Sequence, residues 1–194
     1  MKAMIRIAAF AAAFAGTSAI AQAQNFSESD QELEMVGEAP AACVLRAPSA
    51  TAGVNASFDP TGPTSGELRI IQMVNPTTAE PLPTSITLAL PVVCNASHRI
   101  ELRSQNGGLL RDQGNARNRQ SGSGFGEFVT YRVGLAWAGQ QRDVTSEEAR
   151  NLSIDAFRGA AGDAVLNVSL PGGGGPLVAG RYSDAIIVEF LVAN

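Results

Sequence analysis

Catalysis has few residues to work with in this chain. His98 is the only histidine, Lys2 the only lysine, and charged residues make up 16% of the sequence, below the roughly 25% usual in soluble domains. A catalytic centre needs a nucleophile with its base, a metal cluster or paired carboxylates. No nucleophile-elbow sequence accompanies His98, so a Ser-His-Asp arrangement has no support and a solvated or hydrogen-bonded surface histidine is expected. Cys43 and Cys94 form no Cys-x-x-Cys, which argues against a metal pair or a reactive thiol. Asp143, Glu147, Glu148 and Asp155 lack the spacing of a calcium loop. The expectation is a protein that is not an enzyme, with no catalytic residue, no metal and no cofactor.

Other signals are missing too. Gly122-Ser123-Gly124-Phe125-Gly126 is followed by a strand pattern, not a helix, so it is no dinucleotide fingerprint. Pro171-Gly172-Gly173-Gly174-Gly175-Pro176 has no lysine to reach a phosphate. Both read as flexible connections. With no basic block or acidic tail, nothing points to nucleic acid or a membrane surface. Sequons begin at Asn55, Asn95, Asn151 and Asn167, a pattern too short to mean anything outside a host that uses it. No period repeats, so one domain is expected.

What is present begins with the N-terminus. Lys2 and Arg6 precede an apolar run from Ile7 to Ile20, and Ala21-Gln22-Ala23 offers small residues where signal peptidase inspects. Residues 1–23 therefore read as a secretory signal peptide. The run is short of the roughly 20 residues that a spanning helix needs, so no membrane span is expected after cleavage. Cleavage takes the formal charge from −4 to −6. An even cysteine count in an exported chain favours one disulfide, Cys43–Cys94.

Strand patterns dominate the rest. Cys43-Val44-Leu45, Gly53 to Phe58, Glu67 to Val74, Arg99 to Arg103 and Val165 to Leu170 read as strands. Ile86, Leu88, Leu90, Val92 and Cys94 share one face of an extended chain, as do Val129, Tyr131, Val133, Leu135 and Trp137. Pro91 has no donor and belongs at a bulge or on an unpaired side. Arg111 to Gly126 reads as a long mobile loop. Thr145-Ser146-Glu147-Glu148 resembles a capping box that starts a short helix through Asn151. The whole reads as an all-β sandwich.

Two segments at the ends complete the pattern. Residues 24–42 form a polar, acidic N-terminal extension in which Leu33, Met35, Gly37 and Ala39 alternate with Glu32, Glu34, Val36 and Glu38, either a weak strand or a disordered leader. At the other end, Ile186 to Val192 is a strand with Glu189 as its only charge. So apolar a strand is expected to be covered and to need neighbours on both sides. The sequence ends at Asn194, so the second neighbour is expected from elsewhere.

The stretch Gly180-Arg181-Tyr182-Ser183-Asp184 running into Ile186-Ile187-Val188 resembles the closing motif of the spore coat protein U domain family, with Gly180, Tyr182 and Asp184 as its marks. Cys43-Val44-Leu45, Ala56-Ser57-Phe58, Ile86 to Cys94, Asn106-Gly107-Gly108-Leu109 and Tyr131-Arg132-Val133 match other short motifs of that family in order. The resemblance runs from about Cys43 to Val192 within an expected domain of residues 43–194, and Trp137-Ala138-Gly139 is the nearest match to the family's tryptophan-glycine.

It implies an immunoglobulin-like sandwich lacking its final strand, in an archaic chaperone–usher pilus subunit that passes through the periplasm to the cell surface. A periplasmic chaperone, an outer-membrane usher and neighbouring pilus subunits, in a homo- or hetero-polymer, would be its partners, with cell adhesion and biofilm as its setting. The groove strand would present Ile186, Val188, Phe190 and Val192. The donor strand would present Leu33, Met35, Gly37 and Ala39. The alternative is a self-contained periplasmic or surface sandwich of the same family that does not polymerise.

Overall fold

A computed structural model describes residue 31, residues 33–149 and residues 152–193. The chain divides into a unit ending at Glu38 and a second unit from Ala39 onward. The expected signal peptide, residues 1–23, lies outside the described residues.

The second unit is built from strands: β1 Cys43–Leu45, β2 Ser49–Val54, β3 Ala56–Pro60, β4 Gly66–Ile70, β5 Thr84–Cys94, β6 His98–Ser104 and β7 Leu109–Arg111 come first. Then follow β8 Phe128–Val129, β9 Arg132–Trp137, β10 Gln140–Thr145, β11 Leu152–Ala156, β12 Ala160–Leu170, β13 Tyr182–Ser183 and β14 Ile186–Val192. One sheet has the order β1-β5-β12-β9-β10, with β2 also on β5, and a second has the order β11-β6-β14. Every pairing in both is antiparallel. The expected all-β sandwich is what the chain forms.

An immunoglobulin constant-type sandwich places strands A, B, E and D in one sheet and C, F and G in the other. Here β1 and β2, β5, β12 and β9 take the places of A, B, E and D, while β6 and β14 take those of C and F. Among the described residues no strand takes the place of G.

Alternation builds the core between the sheets. Ile86, Leu88, Val92 and Cys94 of β5 are buried against Ile100 and Leu102 of β6, with Val133, Leu135 and Trp137 of β9 and Leu152 and Ile154 of β11. The break between β2 and β3 falls at Asn55, whose φ is 55°. Asn55 there accepts from the Gln72 amide and donates to the Gln72 carbonyl and to Thr84. Pro91 accepts from the Arg46 amide at 3.0 Å. Its missing donor thus faces the gap where β1 gives way to β2, the unpaired side expected of it.

Cys43 and Cys94 are register partners with Cα atoms 4.1 Å apart, and they form the disulfide. On the next rung Asn95 N–H donates to the Ala42 carbonyl, so the cysteines occupy a non-hydrogen-bonded rung, where cross-strand side chains are closest.

Several expectations change. Of the short helix expected from Thr145 through Asn151, Ser146 to Glu148 form a turn and Ala149 opens a 3₁₀ turn, while residues 150–151 lie outside the described residues. Glu148 accepts from the Thr145 amide and hydroxyl, closing a single turn after β10. The strand expected at Glu67–Val74 stops at Ile70, and Val74 keeps only an isolated bridge to Pro81. β10 was not visible in the sequence because it is polar and largely exposed. It pairs with β9 through Ala138 and Gly139, both at positive φ, a two-residue primed turn without the usual Asn-Gly cue. β12 begins at Ala160, five residues before the apolar alternation of Val165, because its first half pairs along β5 with few large side chains. The loop read as mobile is tied down: Arg111 Nε donates to Glu127 at 2.9 Å, Glu127 N–H to Asn118, and Gly126 N–H to Pro176. The polyglycine link is held as well, through Gly173 N–H to Pro81.

The disulfide closes a separation of 51 residues, worth about 4 kcal/mol in the chain-entropy account. A Cys43→Ala/Cys94→Ala chain is expected to lose most of that, read as a lower urea midpoint with a steeper slope, because the uncrosslinked unfolded chain is less compact.

Candidate functional site

The last strand is hydrogen-bonded on one side only. β14 pairs with β6 in a register that sets Ile186 opposite Ser104 and Val192 opposite His98. Gln105 N–H donates to the Ala185 carbonyl and Ala193 N–H to the Ser97 carbonyl. These rungs mark the odd-numbered residues as the ones whose backbone groups face β6. The backbone groups of Ile186, Val188, Phe190 and Val192 therefore face away from it. Among the described residues no strand lies there to receive them.

Alternation gives the same four residues inward side chains. On the neighbouring strand, Ile100 and Leu102 are 0% and 1% exposed, whereas Ile186, Val188 and Phe190 are only half-buried. They line an open groove of about 850 Å³. The β3–β4 hairpin forms its far wall with Phe58, Leu68 and Ile70, and its floor is Leu88 and Leu90 of β5 with Leu166 and Val168 of β12. Val192 is not among the lining residues. It sits at the His98 end of β14, so the groove wall on β14 is three of the four residues expected.

The motif residues anchor the start of this strand. Asp184 accepts at one oxygen from the Tyr131 hydroxyl (2.7 Å) and from Ser104, and at the other from the backbone N–H of Asn106 (2.9 Å) and Ala185 (2.8 Å). Burial holds the Tyr131 phenol well above its ordinary value. The Tyr182 hydroxyl shares its one proton between the carbonyls of Val178 (2.8 Å) and Gly126 (3.0 Å), and burial raises its phenol too. Gly180 has φ +154°, and a Cβ there would stand 2.9 Å from Arg111 Cγ. Arg111 is already engaged with Glu127, whose carboxyl is held below its usual range by that hydrogen bond first and by Asn118 second. All three motif residues thus fix where the chain turns into β14.

Leu33 and Met35 of the expected donor set are 85% and 96% exposed. Gly37 has open space where a Cβ would stand, and Ala39 is exposed. None of the four lies in a strand.

His98 is a correction. It is buried, not a surface group, and it sits between Trp137, whose Nε1–H donates to its Nε2 at 2.8 Å, and the Ala96 carbonyl, 2.9 Å from Nδ1. The indole has only a proton to offer, so Nε2 must accept and Nδ1 must donate. The ring lies beside Cys43 and Cys94, but the two sulfurs are bonded to each other. The sequon amides of Asn55 and Asn95 donate to Thr84 and to the Pro40 carbonyl, and Asn167 accepts from Thr87; Asn151 lies outside the described residues.

Sequence reasoning missed the far wall and floor of the groove and the arginines on its lining, Arg46, Arg69 and Arg181. Alternation marks Leu68 and Ile70 as inward but carries no sign of which cavity they meet.

No protein-family model matches this sequence, and no curated protein matches it. Among solved structures it is similar to a chain from a chaperone–tip adhesin complex of CFA/I fimbriae biogenesis, with 12% identity and a TM-score of 0.40. The match covers 72% of this chain and 43% of that one, so this chain spans under half of that chain's length.

Removing the carboxylate charge at Asp184 weakens hydrogen bonds from four donors. Asp184→Asn is expected to cost about 2–3 kcal/mol, and Tyr131→Phe about 1 kcal/mol, by denaturant unfolding. Because the folded phenol of Tyr131 is raised above the reference 10.0, its contribution is complete below that pH. It is lost as pH rises further, since the unfolded chain gives up the proton first. Tyr131→Phe is expected to flatten that alkaline decline.

Proposed function

We propose that this chain is a structural subunit of a bacterial surface fibre, assembled by adding a β-strand from another chain to the groove beside β14. The observation that carries this reading is the free edge of β14 above an apolar groove. An unpaired edge of this kind is a template for another strand. Strand addition uses main-chain hydrogen bonds for affinity and alternate side chains in pockets for specificity. On β14 the same residues, Ile186, Val188 and Phe190, supply both features, so one extended segment satisfies the edge and covers the groove together.

The segment Leu33, Met35, Gly37, Ala39 has the matching period. Fully burying Leu33 and Met35 contributes roughly 1.5–3 kcal/mol each. Gly37 lets the backbone come close to the groove floor. During export a periplasmic chaperone would lend the strand, and an outer-membrane usher would direct its replacement by a neighbouring subunit. These partners, and membership of the spore coat protein U domain family, are part of the proposal and rest on the motif order from Cys43 to Asp184.

The test is to export the full chain into an oxidising compartment and weigh the product. Extended assemblies are expected, and deletion of residues 24–39 should abolish them. Val188→Pro removes a donor that faces the free edge while sparing the ladder to β6, and is expected to leave a folded chain that assembles poorly. A wild-type chain that stays monomeric for days overturns the reading.

A further inference from the structure

Resting on that reading, we infer that the groove selects an acidic strand, the 32–39 segment of a second copy of this chain, through arginines on its rim. Arg46, Arg69 and Arg181 line the groove and are exposed. Two acids line it as well. Glu67 is paired with Arg69 at 3.1 Å, and Asp184 is already committed to its four internal donors. Among the described residues Arg46 and Arg181 make no ion pair. The donors to Asp184 are neutral and leave its charge in place, and Arg181 also acts on Glu67, so the lining carries three arginines against two carboxylates, a net positive rim around an apolar floor.

The extension carries the complement. Residues 24–42 contain Glu28, Asp30, Glu32, Glu34 and Glu38 and no basic residue. When Leu33, Met35, Gly37 and Ala39 point into the groove, Glu32, Glu34, Val36 and Glu38 point out, along the rim. Acidity that adds nothing to groove filling thus becomes the recognition element.

Direction argues for a second copy. Asn95 donates to the Pro40 carbonyl and accepts from the Ala42 amide, which holds the root of the extension beside Cys94. That is the end at which β14 finishes, since Ala193 is bonded to Ser97. A segment folding back from Ala39 onto its own β14 would run parallel to it. The missing G strand of an immunoglobulin sandwich runs antiparallel, and antiparallel pairing is the more stable per residue. Another copy's extension can take that direction, which brings Glu38 to the Ile186 end, where Arg181 lies.

Rim charges act on encounter rate and partner choice more than on final stability. The experiment follows assembly of the full exported chain by light scattering at two salt concentrations. Wild type is expected to assemble about tenfold faster at 0.05 M than at 0.5 M salt, because screening removes the attraction. Arg46→Glu/Arg181→Glu is expected to slow the low-salt rate about tenfold, as is Glu34→Arg/Glu38→Arg. Mixing the two variants restores complementary pairs and is expected to recover the rate. Assembly that ignores salt and both charge reversals overturns this inference while leaving strand addition standing. A wild-type chain that never assembles overturns both.

Discussion

A strand inside a sandwich is hydrogen-bonded along both edges, and β14 is hydrogen-bonded along one. Much of the architecture follows from that asymmetry. Its inward residues contribute to the core from one side only, so Ile186, Val188 and Phe190 remain half-covered while Ile100 and Leu102 beside them are sealed. The β3–β4 hairpin faces them across the gap. The Asp184 cluster then does what a second neighbour would otherwise do for position: it ties the root of β14 to Ser104, Asn106 and Tyr131. A strand held firmly at its root and left open along its length is suited to receive another.

Several polar groups are engaged by the fold itself. His98 satisfies Trp137 inside the core, Asn55 bridges two segments at a left-handed turn, and Asn95 clasps the chain before β1. Each is a donor or acceptor whose burial or engagement would cost free energy if it stood alone. Their positions are set by backbone that needed a partner.

The sandwich was readable because alternation is a strong signal where one face is buried, as in Ile86 to Cys94 and Val129 to Trp137. The disulfide was readable from the cysteine count and the expected export of the chain. β10 was not, since an exposed polar edge strand has no apolar period, and its Ala138-Gly139 turn lacks a typical dipeptide. His98 was misread as exposed because a single residue shows nothing of Trp137, 39 positions away. For the groove, the strand side was legible from the motif and from the apolar run of Ile186 to Phe190. The far wall was not, because Phe58, Leu68 and Ile70 meet β14 only through tertiary packing. Val192 was included by period alone, and period does not reveal where a groove ends.

The clasp at Asn95 has a geometric consequence. The extension leaves the domain at the end where β14 finishes, and under the proposed strand addition an antiparallel guest would bring its own domain to the end where β14 begins. Donor and acceptor poles are therefore opposite, so each copy offers one unmatched pole after every contact. Such head-to-tail contacts propagate as an open line unless their rotation happens to close a ring. Under the proposed strand addition the line would have a polarity, growth at its two tips would be chemically distinct, and one tip would always end in an unfilled groove.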